Sequence, residues 1–243
     1  MSDYDGLADA YARRRRVYDG IVPALAELGR LGPESRALEV GAGTGNHIRA
    51  LRGQSGCRAI GLERSEAMLG HARGLAGGVA YLAGDAHRLP FQAALFDLVF
   101  SVDVIHHLAW PADHFEEVAR VLGLGGRLVT VTQSHAQIRA RPVLARYFPE
   151  TVAADLARYP GTADLIGIME GCGFKAAREV MVEVPRQLTD ADAFAEKAFS
   201  VLHLIPAAAF RAGLERLEAA LTEGPLPAPE RFTLLVGEVR QEA

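Results

Sequence analysis

The sequence predicts an α/β domain built on a doubly wound, mostly parallel sheet, and two observations carry that prediction. Short apolar runs alternate with segments of helical period from residue 17 to residue 133, and the first apolar run empties into a glycine-rich loop followed by a helix pattern. Strands separated by helices need crossover connections, which set neighbouring strands parallel and place helices on both faces. In such sheets ligands lie beyond the carboxyl ends of the strands, where the strand order reverses. Functional residues are therefore sought just after the strands.

Taken in order, Val17, Ile21, Leu25 and Leu28 recur at helical spacing, and Pro33 separates them from a strand candidate at Ala37–Val40. Further strands are predicted at Arg58–Leu62, Val79–Ala83, Asp97–Val102 and Arg127–Thr132, with helices around Ile48–Arg52, Glu66–Arg73 and Asp113–Leu122. In the last helix Phe115, Val118 and Leu122 line one face, and Gly123, Gly125 and Gly126 are expected to stop it. After Gln133 the rhythm breaks. Residues 134–161 carry Arg139, Arg141, Arg146 and Arg158 among Tyr147, Phe148 and Tyr159, with weak periodicity. A helix near Thr162–Glu170 and a strand at Phe174–Val184 follow. A second excursion, Pro185–Glu230, holds a helix with Phe210, Leu214, Leu217 and Leu221 on one face, and the last strand is Phe232–Val239.

This organisation reads as one domain over 1–243, with an N-terminal helical lid at 1–30 and a ligand-binding half at 31–133. Late strands fall in 171–184 and 231–243, and two insertions, 134–170 and 185–230, form a cap over the carboxyl edge of the sheet. A helical layer with no ligand role is the alternative reading of those insertions.

Composition narrows the function classes. With 243 residues, 49% of them hydrophobic, the chain can bury a full core. Twenty-six basic against thirty acidic residues give a net charge of −4, without the electrostatic footprint of a dedicated nucleic-acid binder. Only Cys57 and Cys172 are present, and Met1–Tyr4 opens no secretory leader, so neither secretion nor a disulfide framework is expected. No apolar run approaches the roughly 20 residues needed to cross a bilayer. The expectation is a soluble, cytoplasmic protein with a small-molecule partner, no nucleic acid and no membrane; its oligomeric state is not legible.

The most informative stretch is Leu38-Glu39-Val40-Gly41-Ala42-Gly43-Thr44-Gly45-Asn46. Glycine at alternate positions lets a backbone turn sharply and approach a ligand closely. A dinucleotide loop, G-x-G-x-x-G, would need glycine where Asn46 stands, and a phosphate loop would need a lysine that is absent here.

This stretch resembles the first motif of the class I S-adenosylmethionine-dependent methyltransferases, particularly their small-molecule group, which reads acidic-x-G-x-G-x-G. Three further motifs stand in order at strand ends: Ile60–Ser65 with Ala67-Met68-Leu69, then Gly84-Asp85-Ala86 with Leu89-Pro90-Phe91, then Phe96–Val102 with Ile105-His106-His107-Leu108. Val121–Leu128 is similar to the turn into the fifth strand, although Gly123-Leu124 replaces the usual Lys-Pro. The resemblance covers roughly residues 35–133. It implies a seven-stranded, Rossmann-like methyltransferase sheet with a helical cap, and transfer of the sulfonium methyl to an O, N or C nucleophile, leaving S-adenosylhomocysteine.

The resemblance also assigns residues. Glu63 would accept the ribose hydroxyls and Asp85 the adenine amino group, the second having an ordinary cap of the next turn as its alternative. Glu39 sits in an apolar run where an unpaired carboxylate is costly, so it must find partners, and it would orient the loop or meet the methionine ammonium. Gly41, Ala42, Gly43, Gly45, Arg64, Gly84, Ala86, Ser101 and His106 complete the implied cofactor surface. Met68 is read either as an apolar surface for adenine or as a core residue of its helix. In the segment bearing Tyr4, Tyr11, Arg13–Arg16 and Tyr18, family precedent would bring Tyr11 and Arg15 over the methionine part, a solvated basic face being the alternative.

His106 and His107 are the catalytic candidates, for positioning the acceptor or for taking its proton. No metal spacing is present. Ser101-Val102-Asp103-Val104 stands where amino-methylating enzymes of nucleic acids carry Asn/Asp-Pro-Pro-Tyr/Phe, which argues against a base-modifying enzyme. Two rivals remain: aminopropyl transfer, with Asp103 receiving the amine proton, and a non-catalytic module that binds the nucleoside. Tyr147, Phe148, Tyr159, Phe194 and Phe199, with the nearby arginines, lead us to expect an apolar acceptor pocket with a few basic groups.

Overall fold

The computed structural model describes residues 17–18, 20–75 and 77–239. Seven strands form one sheet: β1 (Arg36–Val40), β2 (Arg58–Glu63), β3 (Ala80–Ala83), β4 (Phe96–Val102), β5 (Leu122–Thr132), β6 (Phe174–Val184) and β9 (Glu230–Val239). Their order is β3-β2-β1-β4-β5-β9-β6. β1 through β5 run parallel, and β9 is antiparallel to both of its neighbours. The order reverses between β1 and β4, the two strands that put Glu39 opposite Phe100. A crevice is therefore expected at their carboxyl ends.

Both faces of the sheet are covered, which is why its central strands read as continuous apolar runs. On one face α1 (Ile21–Leu28) and α2 (Asn46–Ser55) bring Ile21, Leu25, Ile48 and Leu51 against Ala37, Phe100, Val129 and Leu234. On the other, α4 (Pro111–Val121) and α8 (Thr162–Gly171) bring Phe115, Val118, Leu165 and Met169 against Val40, Val99, Leu128 and Leu235. Leu128 and Val129 fall in different cores because successive strand residues point to opposite faces. α3 (Glu66–Arg73) begins at a Ser65 cap, whose hydroxyl accepts from Met68 N at 3.2 Å, and packs beside β2 and β3.

Two expectations are corrected. The glycines at 123, 125 and 126 lie within β5 instead of ending α4, because Leu122 is already extended and pairs with Phe96. Residues 162–170, grouped above with the first insertion, belong to the sheet's helical layer through Leu165 and Met169.

The remainder of the two insertions has its own core. Short helices α5 (His135–Arg139), α6 (Leu144–Tyr147) and α7 (Glu150–Leu156) come from the first. From the second come α9 (Asp192–Ala195) and α10 (Ala207–Thr222), closed at their base by a ribbon of β7 (Gln187–Leu188) and β8 (Leu226–Pro227). Phe148, Phe194, Val201, Leu202 and Leu217 pack together there. No helix among the described residues is long and apolar enough to cross a membrane.

Candidate active site

At the point of strand reversal a cleft is lined by Glu39, the 41–44 loop, Asn46, His47 and Val102. Gly45 has φ +75°, and a Cβ there would stand 2.1 Å from the Tyr81 hydroxyl. A Cβ on Gly41, which has φ +72°, would stand 2.4 Å from Val104 Cγ2, so the loop is tucked against the chain leaving β4. Burial pushes the Tyr81 phenol up to about 12, which keeps it protonated beneath the loop. A larger concavity, about 320 Å³, lies between Glu183, Pro185, Arg186, Gln187, Pro227 and Pro229. It contains none of the motif residues, so chemistry selects the smaller cleft.

Glu39 is 1% exposed. Its Oε2 accepts from Ile48 N at 3.0 Å, inside the first turn of α2, where a carboxylate meets the positive end of the helix dipole. Glu39 Oε1 stands 3.9 Å from His47 Nδ1. This answers the need for partners, and it orients the glycine loop by tying β1 to α2.

Glu63 leaves the end of β2 and is half-buried. Its Oε2 accepts from Gly43 N at 2.9 Å, while Oε1 accepts from Arg64 N and Ser65 N at 2.8 and 2.9 Å. Three of roughly four acceptor positions are thus taken by backbone. The expectation that Glu63 is open to both ribose hydroxyls is corrected: it locks the loop and has one position to offer. Arg64 is exposed beside it. Met68, 2% exposed, packs inward with Leu69 and Ala72, which is the core reading and not the adenine contact.

After β3, Gly84 sits over Leu62, and Asp85 takes His87 N and His87 Nδ1 on one oxygen at 2.9 and 2.8 Å. The backbone N–H of His87 and then its ring hold the Asp85 carboxyl below the usual carboxylate range. Ala86 O accepts from His114 Nδ1 at 3.0 Å. Ser101 is buried opposite Thr130 with no protein partner for its hydroxyl, so it lies within the sheet while Val102 lines the cleft.

At the other end, His106 stacks on Tyr159 with ring centroids 4.0 Å apart and planes at 15°, and His107 lies 4.0 Å from His106 on its exposed side. Burial first, then the Asp103 and Asp155 carboxylates, push the Tyr159 phenol up, so it is a donor and not a base. Tyr18 joins the mouth of the cleft from the opposite side: its N donates to His47 Nε2 at 3.3 Å and its hydroxyl to Asp103 Oδ2 at 2.9 Å. Asp103 itself has φ +56°, a strained conformation held by its surroundings. Tyr11 and Arg15 lie outside the described residues.

Sequence reasoning missed the roles of His47, Tyr81 and the Tyr159–His106 stack. Their partners are 29, 36 and 53 positions away (159 − 106 for the last), and no local motif marks them. The expected basic pocket is corrected too. Asp155, 1% exposed, binds both Arg141 and Arg158, and Arg141 also donates to Gln133. Arg146 lies over Tyr147, and Arg139 is at the surface. Phe148 and Phe194 stack in the cap's own core and do not line a pocket. Among the described residues no cluster of three or more His, Cys, Asp or Glu is placed to hold a metal ion.

Residues 38–130 match a family described as "Methyltransferase domain". The strand order and the loop above agree with that match, so residues 38–130 are similar to a methyltransferase domain in sequence and the sheet is similar in fold. The chain is 30% identical over 179 residues to the tRNA U34 carboxymethyltransferase of Saccharophagus degradans, a match over 71% of this chain and 53% of that protein. It is 32% identical over 111 residues to the chloroplastic tocopherol O-methyltransferase of Arabidopsis thaliana, over 43% and 32% of the two chains. The chain thus spans about half or less of the length of these relatives. Among solved structures, the YcgJ protein of Bacillus subtilis superposes with TM-score 0.64 at 19% identity, over 91% of this chain and 98% of that one. Haemonchus contortus phosphoethanolamine N-methyltransferase 2 in complex with S-adenosyl-L-methionine gives 0.63 at 18% identity, over 98% and 57%. These two likenesses establish the fold.

Proposed function

We propose that the protein is an S-adenosylmethionine-dependent methyltransferase that acts on a small molecule. The observation that carries this reading is the row formed by the 41–45 loop, Glu39, Glu63 and Asp85 along the carboxyl edge of β1, β2 and β3, beginning at the cleft where the strand order reverses. The loop fits a nucleoside-bearing amino acid: positive φ at Gly41 and Gly45 opens the backbone, and carboxylates stand on three successive strand ends. Glu39 and the loop would hold the amino-acid end, Glu63 one ribose hydroxyl, and Asp85 the adenine amino group.

When bound, the cofactor supplies an electrophilic methyl on a cationic sulfur, a leaving group that needs no acid. The protein's part is alignment and exclusion of water. Tyr18 and the cap, through Tyr159, flank the cleft, and His106, stacked on Tyr159 with exposed His107 beside it, would position the acceptor or take its proton. A cytoplasmic setting fits two free thiols, Cys57 and Cys172.

A tRNA acceptor is the second reading, favoured by the names of several relatives; the net charge of −4 weighs for the small molecule. Labelled-methyl transfer from S-adenosylmethionine, run against a metabolite library and against bulk tRNA, separates them. Label in a metabolite supports the proposal, and label only in tRNA overturns the acceptor class. Label in neither, with the cofactor still bound, favours the non-catalytic module.

A further inference from the structure

We propose that His87 is a positioning residue of the adenine site, one that sets the Asp85 carboxylate to read an exocyclic amino group, and that Trp110 seats it. This rests on the cofactor reading above. The Asp85 side chain is 57% exposed, a setting in which a carboxylate normally samples several rotamers. Here both donors of His87, the backbone N–H and ring Nδ1, fall on the same oxygen, Oδ1. A carboxylate only accepts, so Nδ1 carries the hydrogen. The backbone bond alone is an ordinary Asx turn. The ring bond adds a second constraint that fixes the plane of the carboxylate and leaves Oδ2 without a protein hydrogen bond.

The support continues outward. Trp110 is 65% exposed, yet its ring meets the His87 ring edge-on, with centroids 6.0 Å apart and planes at 70°. A largely exposed tryptophan whose ring stands edge-on to His87 is poorly explained by core formation. The backbone beneath is pinned by α4: His114 holds Ala86 O at 3.0 Å, Glu117 takes Leu89 N at 2.7 Å, and Arg120 donates to Leu89 O and Phe91 O at 3.0 and 2.7 Å. The 85–91 loop is thus a rigid shelf, and the Trp110–His87–Asp85 line on it ends in one available acceptor. A donor at the ligand's 6-position, as in adenine, matches that acceptor; a carbonyl there does not.

The test compares S-adenosylhomocysteine with S-inosylhomocysteine, which carries a carbonyl in place of the 6-amino group, by calorimetric titration of the full chain. The wild type is expected to prefer the adenine ligand by about tenfold or more, the worth of one bond to a charged group. His87→Phe keeps a ring against Trp110 and loses the N–H; its preference is expected to fall within about threefold. His87→Asn returns an N–H near the Nδ1 position and is expected to restore most of the preference. Emission from Trp110, the sole tryptophan, is expected to change on saturation with S-adenosylhomocysteine. A wild-type preference retained in His87→Phe would overturn the proposal, and unchanged emission would remove Trp110 from it. Absence of any S-adenosylhomocysteine binding by the wild type would instead defeat the cofactor reading beneath it.

Discussion

The Tyr18 hydroxyl donates to Asp103 Oδ2 at 2.9 Å, joining residues 85 positions apart across the mouth of the cleft. The same tyrosine reaches the glycine-loop side through His47, and its ring lies 4.4 Å from that of Phe232. One residue thus links the start of α2, through its backbone N–H, to the loop after β4, through its hydroxyl. Tyr18→Phe keeps the ring packing and removes the bond to a charged acceptor. We expect S-adenosylhomocysteine affinity to fall about tenfold, the equivalent of one such bond, with faster release in a displacement experiment. An unchanged dissociation rate would show that the bridge does not restrain the cleft.

The glycine loop makes a steric prediction. In Gly45→Ala the new methyl meets the Tyr81 hydroxyl and the backbone keeps a left-handed conformation that alanine adopts at a cost of about 1–2 kcal/mol. Urea unfolding should show a loss of at least that size, and Tyr81→Phe in the same chain should recover part of it. A fully stable Gly45→Ala would mean that the loop moves freely away from β3.

Asp155 is the buried centre of the cap's charge network. Its removal in Asp155→Ala strands Arg141 and Arg158, whose side chains are 12% and 19% exposed. Breaking a buried pair on one side costs about 3–5 kcal/mol, and the melting temperature should fall accordingly. The surface pair Arg231–Glu183 serves as the control, since Glu183→Ala should leave melting unchanged.

His114 predicts a pH dependence of stability. Burial pushes its imidazole down to about 4, so the folded protein holds it neutral. The unfolded chain takes up a proton below about 6.5, so the contribution is complete above that pH and is lost as pH falls toward 4. At pH 5 the wild type should have lost about 2 kcal/mol from this residue, from 1.36 kcal/mol per pH unit, and His114→Gln should lack that slope in urea titrations at pH 7.5 and 5.

Much of this was legible in the sequence for physical reasons. β1 and β4 are largely buried on both faces and left continuous apolar runs, and the motifs around the strand ends led to Glu39 within β1, Glu63 at the end of β2 and Asp85 just after β3. What stayed hidden depends on contacts between distant segments. Nothing near Arg141 or Arg158 marks them as partners of Asp155, so they read as pocket groups although each is consumed by the fold. Met68 has the same neighbours in sequence whether its helix turns it to the cleft or, as here, to the core. The glycines of β5 misled because their usual role as helix stops was overridden by pairing of Leu122 with Phe96.

The central claim is that the cleft at the strand reversal holds the S-adenosyl nucleoside, and calorimetric titration tests it most directly. The account predicts one S-adenosylhomocysteine bound per chain, a strong loss of affinity in Glu63→Ala because the glycine loop and a ribose contact fail together, and no measurable heat with NADH. Saturable NADH binding, or wild-type affinity for S-adenosylhomocysteine in Glu63→Ala, would contradict it.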